Sequence, residues 1–193
     1  MHSASTPQLH PDLDKLLERI HGIGREIIAP NADAVDHDAR FPHEAFAALK
    51  AEKLLSSYIP VELGGMGLSI SDQSKICEAL AHYCASSAMI YAMHQIQVAC
   101  IVHHTLQDDS FRAYAREIVE HQLLIASATT EMGIGGDVRS SICAVSIEGD
   151  TFTLDKQAPV ISYGATADAI LVTCRRSPEA GRNDQSVVLV RKQ

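Results

Sequence analysis

The sequence predicts an α+β protein, with an N-terminal all-α helical domain followed by an incomplete antiparallel β domain. Three observations carry that expectation. Apolar residues recur at a spacing of three to four up to about residue 120, and at a spacing of two beyond His121. A glycine-rich stretch, "ASATTEMGIGGDVRSS" at 126–141, stands where the period changes. A helical block is therefore followed by an antiparallel β block, with that stretch at their junction. The expected boundaries are 1–121 for the helical domain and 122–193 for a partial β domain that carries the glycine-rich loop.

The first helix is read from Leu13, Leu16, Leu17, Ile20, Ile27 and Ile28, which share one face, and Pro30 is expected to end it. "FPHEAFAALKAEKLL" starts a second helix, with Pro42 near the first turn, where a missing N–H costs nothing. The glycine-rich connection "IPVELGGMGLS" leads to a third helix through Ile76, Leu80, Tyr83 and Cys84, capped by Ser71 or Asp72. A fourth, capped by Ser86 or Ser87, is expected to bury Met89, Ala92, Met93, Ile96, Ala99, Cys100 and His103. Asp108 caps a fifth, with Phe111, Ala115, Ile118 and Val119 inward.

Beyond His121, Cys143, Val145 and Ile147 alternate with Ala144 and Ser146. "EGD" then turns the chain into "TFTL", a hairpin signal. "AILVTC" and "VVLV" read as further strands around the polar loop "RRSPEAGRNDQS". A sheet of this size needs cover on at least one face. Either a neighbouring subunit supplies that cover, or the chain is a fragment of a longer protein.

Composition narrows the function classes. The hydrophobic share of 46% suffices for a core. A formal charge of −8, with no run of five basic residues, argues against nucleic acid or an anionic membrane as partner. Trp is absent, which removes the stacking platforms of single-strand binders. The five cysteines, with no CxxC pair, read as small buried hydrophobes in a reducing compartment. "MHSASTPQLHPDLDK" has neither the basic nor the apolar region of a secretory signal. The longest apolar stretch, "AMIYAMHQIQVACIV", is interrupted by His94, Gln95 and Gln97, short of the ~18 residues of a membrane helix. A cytoplasmic protein without membrane insertion is expected.

The ten histidines form no HExxH or other set at metal spacing, so no metal site is expected. His103 and His104 are expected to point to different sides of their helix, one inward and one to solvent. No G-x-S-x-G elbow or Walker loop occurs, and "GIGGD" lies between strands, unlike a dinucleotide fingerprint. The junction loop remains. Glycines let main-chain N–H groups approach a ligand, and Thr129 and Thr130 offer hydroxyls ahead of them. From these residues alone it is either a cofactor cradle or a bent connection.

Three motifs in register resemble the acyl-CoA dehydrogenase family. "FPHEAF" with "IPVELGGMGLS" is similar to that family's F-P-x-E and P-E-E-x-G-G-x-G-L-S. "SATTEMGIGGD" is similar to A-x-T-E-P-x-x-G-S-D, and "ISYGATADAILV" to I-T-N-G-x-x-A-D-x-x-x-V. The order and distances agree from about residue 8 to residue 190. In that family an N-terminal helical domain, a middle β domain and a C-terminal four-helix domain enclose FAD and an acyl-CoA. A carboxylate removes the α proton, and the β carbon gives a hydride to the flavin. The resemblance implies an FAD-dependent oxidoreductase of fatty acid metabolism acting on the CH–CH bond of an acyl-CoA thioester. It places Ser127, Ala128, Thr129, Thr130, Gly135 and Gly136 along the cofactor, with Thr130 at the flavin's pyrimidine edge. Val160, Ile161 and Ser162 correspond to the family's Trp-Ile-Thr, with the Ser162 hydroxyl near the flavin's reactive nitrogen.

Several positions depart from the pattern. Gly136 stands at the substrate-binding position where the family usually has a serine. Met132 replaces a proline, Val160 a tryptophan and Tyr163 an asparagine, while Ala158 and Pro159 fall where a lysine and its neighbour are common. The C-terminal helical domain has no counterpart in these 193 residues. No catalytic base is therefore named: Glu131 belongs to the loop and orders it, and Glu62 lies in a turn. The chain is expected to act as a homo-oligomer, or with a missing C-terminal domain or partner chain, and to be inactive in isolation. Two alternatives remain, a flavin-dependent monooxygenase of the same fold and a non-catalytic binding or assembly module.

Overall fold

In the computed structural model, which describes residues 12–192, the first helical run does not stop at Pro30. The signal-sequence reading, made on residues 1–15, falls for residues 1–11 outside the described residues. Helix α1 (Leu13–Ile23), capped by Asp12, passes through a π turn at Gly24–Ile28 into α2 (Ala29–His37). The Ala29 N–H donates to the Gly24 carbonyl, five residues back. In a plain α-helix the Pro30 ring would meet the carbonyl four residues earlier. The wider turn removes that conflict, and Asn31 Nδ2 donates to the Ile27 carbonyl at 2.8 Å.

The later helices are α3 (His43–Ala51), α4 (Ile70–Ala81), α5 (Ala85–His104) and α6 (Asp109–His121). Asp108 caps α6 as expected. Two expected caps are displaced. Ser69, not Ser71 or Asp72, caps α4 in a capping box completed by Asp72. Cys84, not Ser86 or Ser87, caps α5, its Sγ accepting from the Ser87 N–H.

The largest correction concerns α5. Its buried side carries Tyr91, His94, Gln95, Val98 and Ile101, whereas Met89 and Ile96 are 61% and 59% exposed. The polar residues turn inward because the short 3-10 segment Leu54–Ser56 presents backbone groups to them. His94 Nε2 donates to the Leu55 carbonyl at 2.7 Å and Gln95 Nε2 to that of Leu54 at 2.8 Å. From the end of α6, Gln122 accepts from the Leu55 N–H and donates to Ser56 Oγ. His103 and His104 are both exposed, and His103 lies 2.7 Å from the Tyr58 hydroxyl. With 20 residues and a mean hydropathy of 1.2, α5 reaches the length and composition of a membrane span, which the sequence reading denied it. Within it the His94 and Gln95 side chains are buried and hydrogen-bonded to the Leu55 and Leu54 carbonyls.

Between α3 and α4 the chain folds back on itself through a 3-10 turn at Val61–Leu63. Gly65 N–H donates to the Pro60 carbonyl, Gly67 N–H to that of Ile59 and Leu68 N–H to that of Ser57. Leu16, Leu49, Leu55, Ile76, Tyr91 and Ile118 form the centre of this helical core.

The chain divides after Leu123 into a second compact unit. Its first strand, β1 (Ile125–Ala128), takes in Ala126–Ala128, the start of the stretch expected to be the glycine-rich loop. It pairs in parallel with β4 (Ala169–Arg175), Ile125 opposite Ala169, and β4 pairs antiparallel with β5 (Gln185–Arg191). The sheet order is β1-β4-β5. The expected hairpin joins β2 (Val145–Glu148) to β3 (Thr151–Leu154) as a separate antiparallel pair. The fold is thus α+β, with the parallel β1–β4 pairing beside the antiparallel ones. Asp168 fixes the start of β1: its Oδ2 accepts from the Leu124 N–H at 2.7 Å, and its own N–H donates to the Leu124 carbonyl. Cys143, Val145 and Cys174, backed by Leu154 and Val188, form a small core.

Candidate functional site

The stretch 129–142 leaves β1 at Ala128 and returns toward β2, and a second stretch, 155–164, follows β3. Both lie within the second unit. Three successive residues of the first bond to the second: Thr130 Oγ1 donates to the Val160 carbonyl at 3.0 Å, Lys156 Nζ donates to Glu131 Oε2 at 3.2 Å, and Met132 N–H donates to the Gln157 carbonyl at 2.9 Å.

The candidate cofactor residues fall into two groups. Ser127 and Ala128 belong to β1, with Ala128 buried and Thr173 Oγ1 donating to its carbonyl. Thr129 is half-buried, while Thr130, Gly135, Gly136 and Ser162 are exposed. Val160 is 67% exposed and Ile161 half-buried. The two stretches meet through Thr130 and Val160, but no hydrogen bond joins Gly135 or Gly136 to residues 160–162 among the described residues.

Gly136 has φ +84°, a conformation that disfavours a side chain, yet a Cβ there would meet nothing within 4 Å. The position expected from the resemblance to meet substrate thus offers only backbone. The N–H groups of Gly135 and Gly136 have no partner among the described residues. Exposed Thr130 and Ser162, unpaired amides and an exposed apolar Val160 on one unit fit a flat ring system with a polar edge, such as a flavin.

Glu131 faces the other way. Its carboxylate is buried and takes hydrogen bonds from Ser141 Oγ at 2.8 Å, Ile142 N at 3.1 Å, Cys143 N at 2.6 Å and Lys156 Nζ at 3.2 Å. Burial pushes this carboxyl up, but the four donors outweigh it and hold the group below its ordinary range. Lys156 is the residue the sequence reading missed. Ala158 and Pro159 fall where the resembled pattern commonly has a lysine and its neighbour, whereas Lys156, two residues before Ala158, bonds the Glu131 carboxylate.

Tyr163 adopts φ +45°, a left-handed conformation uncommon for a bulky side chain. Its hydroxyl donates to the Ile125 carbonyl at 3.0 Å, and burial pushes the phenol well up. This turn follows directly on Ser162, and no sequence signal beyond the replaced asparagine marks it. Burial also pushes the thiols of Cys143 and Cys174 up, so neither is an activated nucleophile.

A family model described as "Acyl-CoA dehydrogenase, N-terminal domain" matches residues 10–122. Cyclohex-1-ene-1-carbonyl-CoA dehydrogenase of Geobacter metallireducens is 28% identical over 176 residues, which are 91% of this chain and 46% of that protein. Among solved structures, acyl-CoA dehydrogenase from Geobacillus kaustophilus superposes with a TM-score of 0.82 at 19% identity, over 97% of this chain and 50% of that one. PigA, solved with FAD and proline, gives a TM-score of 0.78 at 16% identity, over 97% and 50%. The chain spans about half the length of the curated relatives it matches.

Proposed function

This chain belongs to the acyl-CoA dehydrogenase family, and from that premise we propose that it supplies the helical and flavin-loop portions of an FAD-dependent oxidoreductase. The enzyme desaturates the Cα–Cβ bond of an acyl-CoA thioester, in the cytoplasm and within fatty acid metabolism. In this reading residues 1–121 are the helical domain and 122–193 the β domain, and the assembly is a homo-oligomer. The family match and relatives whose names are those of CoA-thioester dehydrogenases support it.

The observation that carries the flavin assignment is the contact of Thr130 Oγ1 with the Val160 carbonyl at 3.0 Å, which joins the two candidate segments. Bound FAD supplies a hydride acceptor. Thr130, the amides of Gly135 and Gly136, Val160 and Ser162 would be the residues that hold it. Gly136 meets the substrate through backbone alone. Glu131 is excluded as the proton-abstracting base, because its carboxylate is buried and turned to four internal donors.

Titrating the protein with FAD tests the reading. Thr130→Val and Ser162→Ala are each expected to weaken binding about two- to tenfold, the worth of one hydrogen bond. In the complete assembly, with the C-terminal domain or partner chain present, an acyl-CoA added without oxygen is expected to bleach the flavin, whereas the 193-residue chain alone is expected not to turn over. A protein that takes up no FAD overturns the proposal. Flavin that no thioester reduces, but that consumes oxygen once reduced, replaces it with the monooxygenase reading.

A further inference from the structure

We infer that Glu131 and Lys156 form a latch that sets the shape of the 129–142 loop and, through the 156–160 segment, positions Val160 and Ser162. The carboxylate spans the loop. It starts one residue after Thr130 and closes on Ser141, Ile142 and Cys143, ten to twelve residues ahead. Inside that span the backbone bonds are local turns, Asp137 to Ile134 and Ser140 to Asp137, apart from Met132 to Gln157 and, at the far end, Ser141 to Arg182. Gly133, Gly135 and Gly136 all take positive φ, and most of the stretch is exposed. A chain of this kind has little of its own to fix one conformation. The tie at its two ends does so.

Lys156 extends the tie. Its side chain is 6% exposed and that of Glu131 4%, and the ammonium bridges Glu131 Oε2 to the Thr173 carbonyl of β4 at 2.8 Å. The segment that ends at Val160 and Ser162 is therefore anchored at Lys156 to the sheet, and at Lys156, Gln157 and Val160 to Thr130–Met132. A buried ion pair is a poor way to gain stability, since apolar residues of similar size serve as well or better. What two charges with fixed donors add is one geometry. Glu131 and Lys156 are positioning residues, since neither side chain is turned to the proposed flavin surface.

The latch has its own readout, and only its consequence for FAD rests on the flavin proposal. Glu131→Gln and Lys156→Met are expected to raise amide exchange at Ile142 and Cys143, and to speed thiol labelling of the buried Cys143, about tenfold or more. Cys84, buried in the helical unit, is the internal control and keeps its rate. FAD affinity falls about tenfold in the same variants, with a shifted flavin spectrum, and Lys156→Arg restores most of both. The neutral double variant, Glu131→Gln with Lys156→Met, guards against simple misfolding, because it leaves no unpaired buried charge. Unchanged exchange and labelling in a folded variant overturns the latch. So does a double variant that binds FAD with wild-type affinity and spectrum. Wild-type protein that binds no FAD defeats the flavin proposal instead, and the exchange arm still judges the latch.

Discussion

Gly65→Ala is expected to lower the stability of the helical unit by on the order of 3 kcal/mol, the upper range for forcing atoms into a filled core. A Cβ on Gly65 would stand 2.0 Å from the Ile59 carbonyl oxygen and 2.5 Å from its carbon. The obstacle is backbone, not a side chain that can swing aside. Nor is that backbone free to move. Ile59 is fully buried, its carbonyl accepts from the Gly67 N–H at 2.9 Å, and Gly65 N–H is itself bonded to Pro60. Relieving the clash breaks this fold-back, from which α4 departs. Urea unfolding followed by helical circular dichroism measures the loss. Gly22→Ala is the matched control, since nothing lies within 4 Å of a Cβ there. Within α1 that change stabilises by up to about 1 kcal/mol through helix propensity alone. Equal midpoints for wild type and Gly65→Ala would contradict the close approach.

Glu131→Ala is the second large effect, with a loss of about 3–5 kcal/mol in the second unit. It strands the Lys156 ammonium in the interior and leaves the Ile142 and Cys143 N–H groups without their acceptor. Glu131→Gln costs less, because an amide oxygen still accepts. The same carboxylate sets a pH dependence. Its pKa is lowered in the folded protein, so its contribution is fully present above the ordinary value of 4.5. It is lost as pH falls below that, through the depressed folded value. Wild type is therefore expected to lose stability on acidification below about pH 4.5 more steeply than Glu131→Gln, in unfolding curves across that range. Parallel curves for the two proteins would show that the carboxylate is not held as described.

What the sequence made legible follows from the range of the interactions involved. The Asp108 cap and the Gly149 hairpin are local, set by residues two or three apart, and both appear where expected. The face of α5 was not legible, because the helix is apolar on more than one side and its periodicity gives no direction. The deciding bonds, from His94 and Gln95 to Leu55 and Leu54, join residues 39 and 41 apart. Strand β1 escaped notice for a similar reason: four residues carry no alternation, and its partner lies more than forty residues on. At the candidate site, the pairing of Thr130 with the 160–162 segment came from family resemblance and from no pattern in the residues. Lys156 was invisible even so, because it sits out of register with that pattern and is recognised only by what it touches.

The π turn at Gly24–Ile28 has a bearing on how this chain is compared with others. A π turn holds one residue more than the α turn it replaces, so the first helix carries an insertion that does not interrupt it. A relative with an uninterrupted α-helix at this point is one residue shorter. Superposing the two by sequence then demands a gap inside a helix, where gaps are ordinarily penalised. Placed instead in the next loop, that gap shifts every residue of α2 by one position, and with it the apparent identity of each residue facing the core.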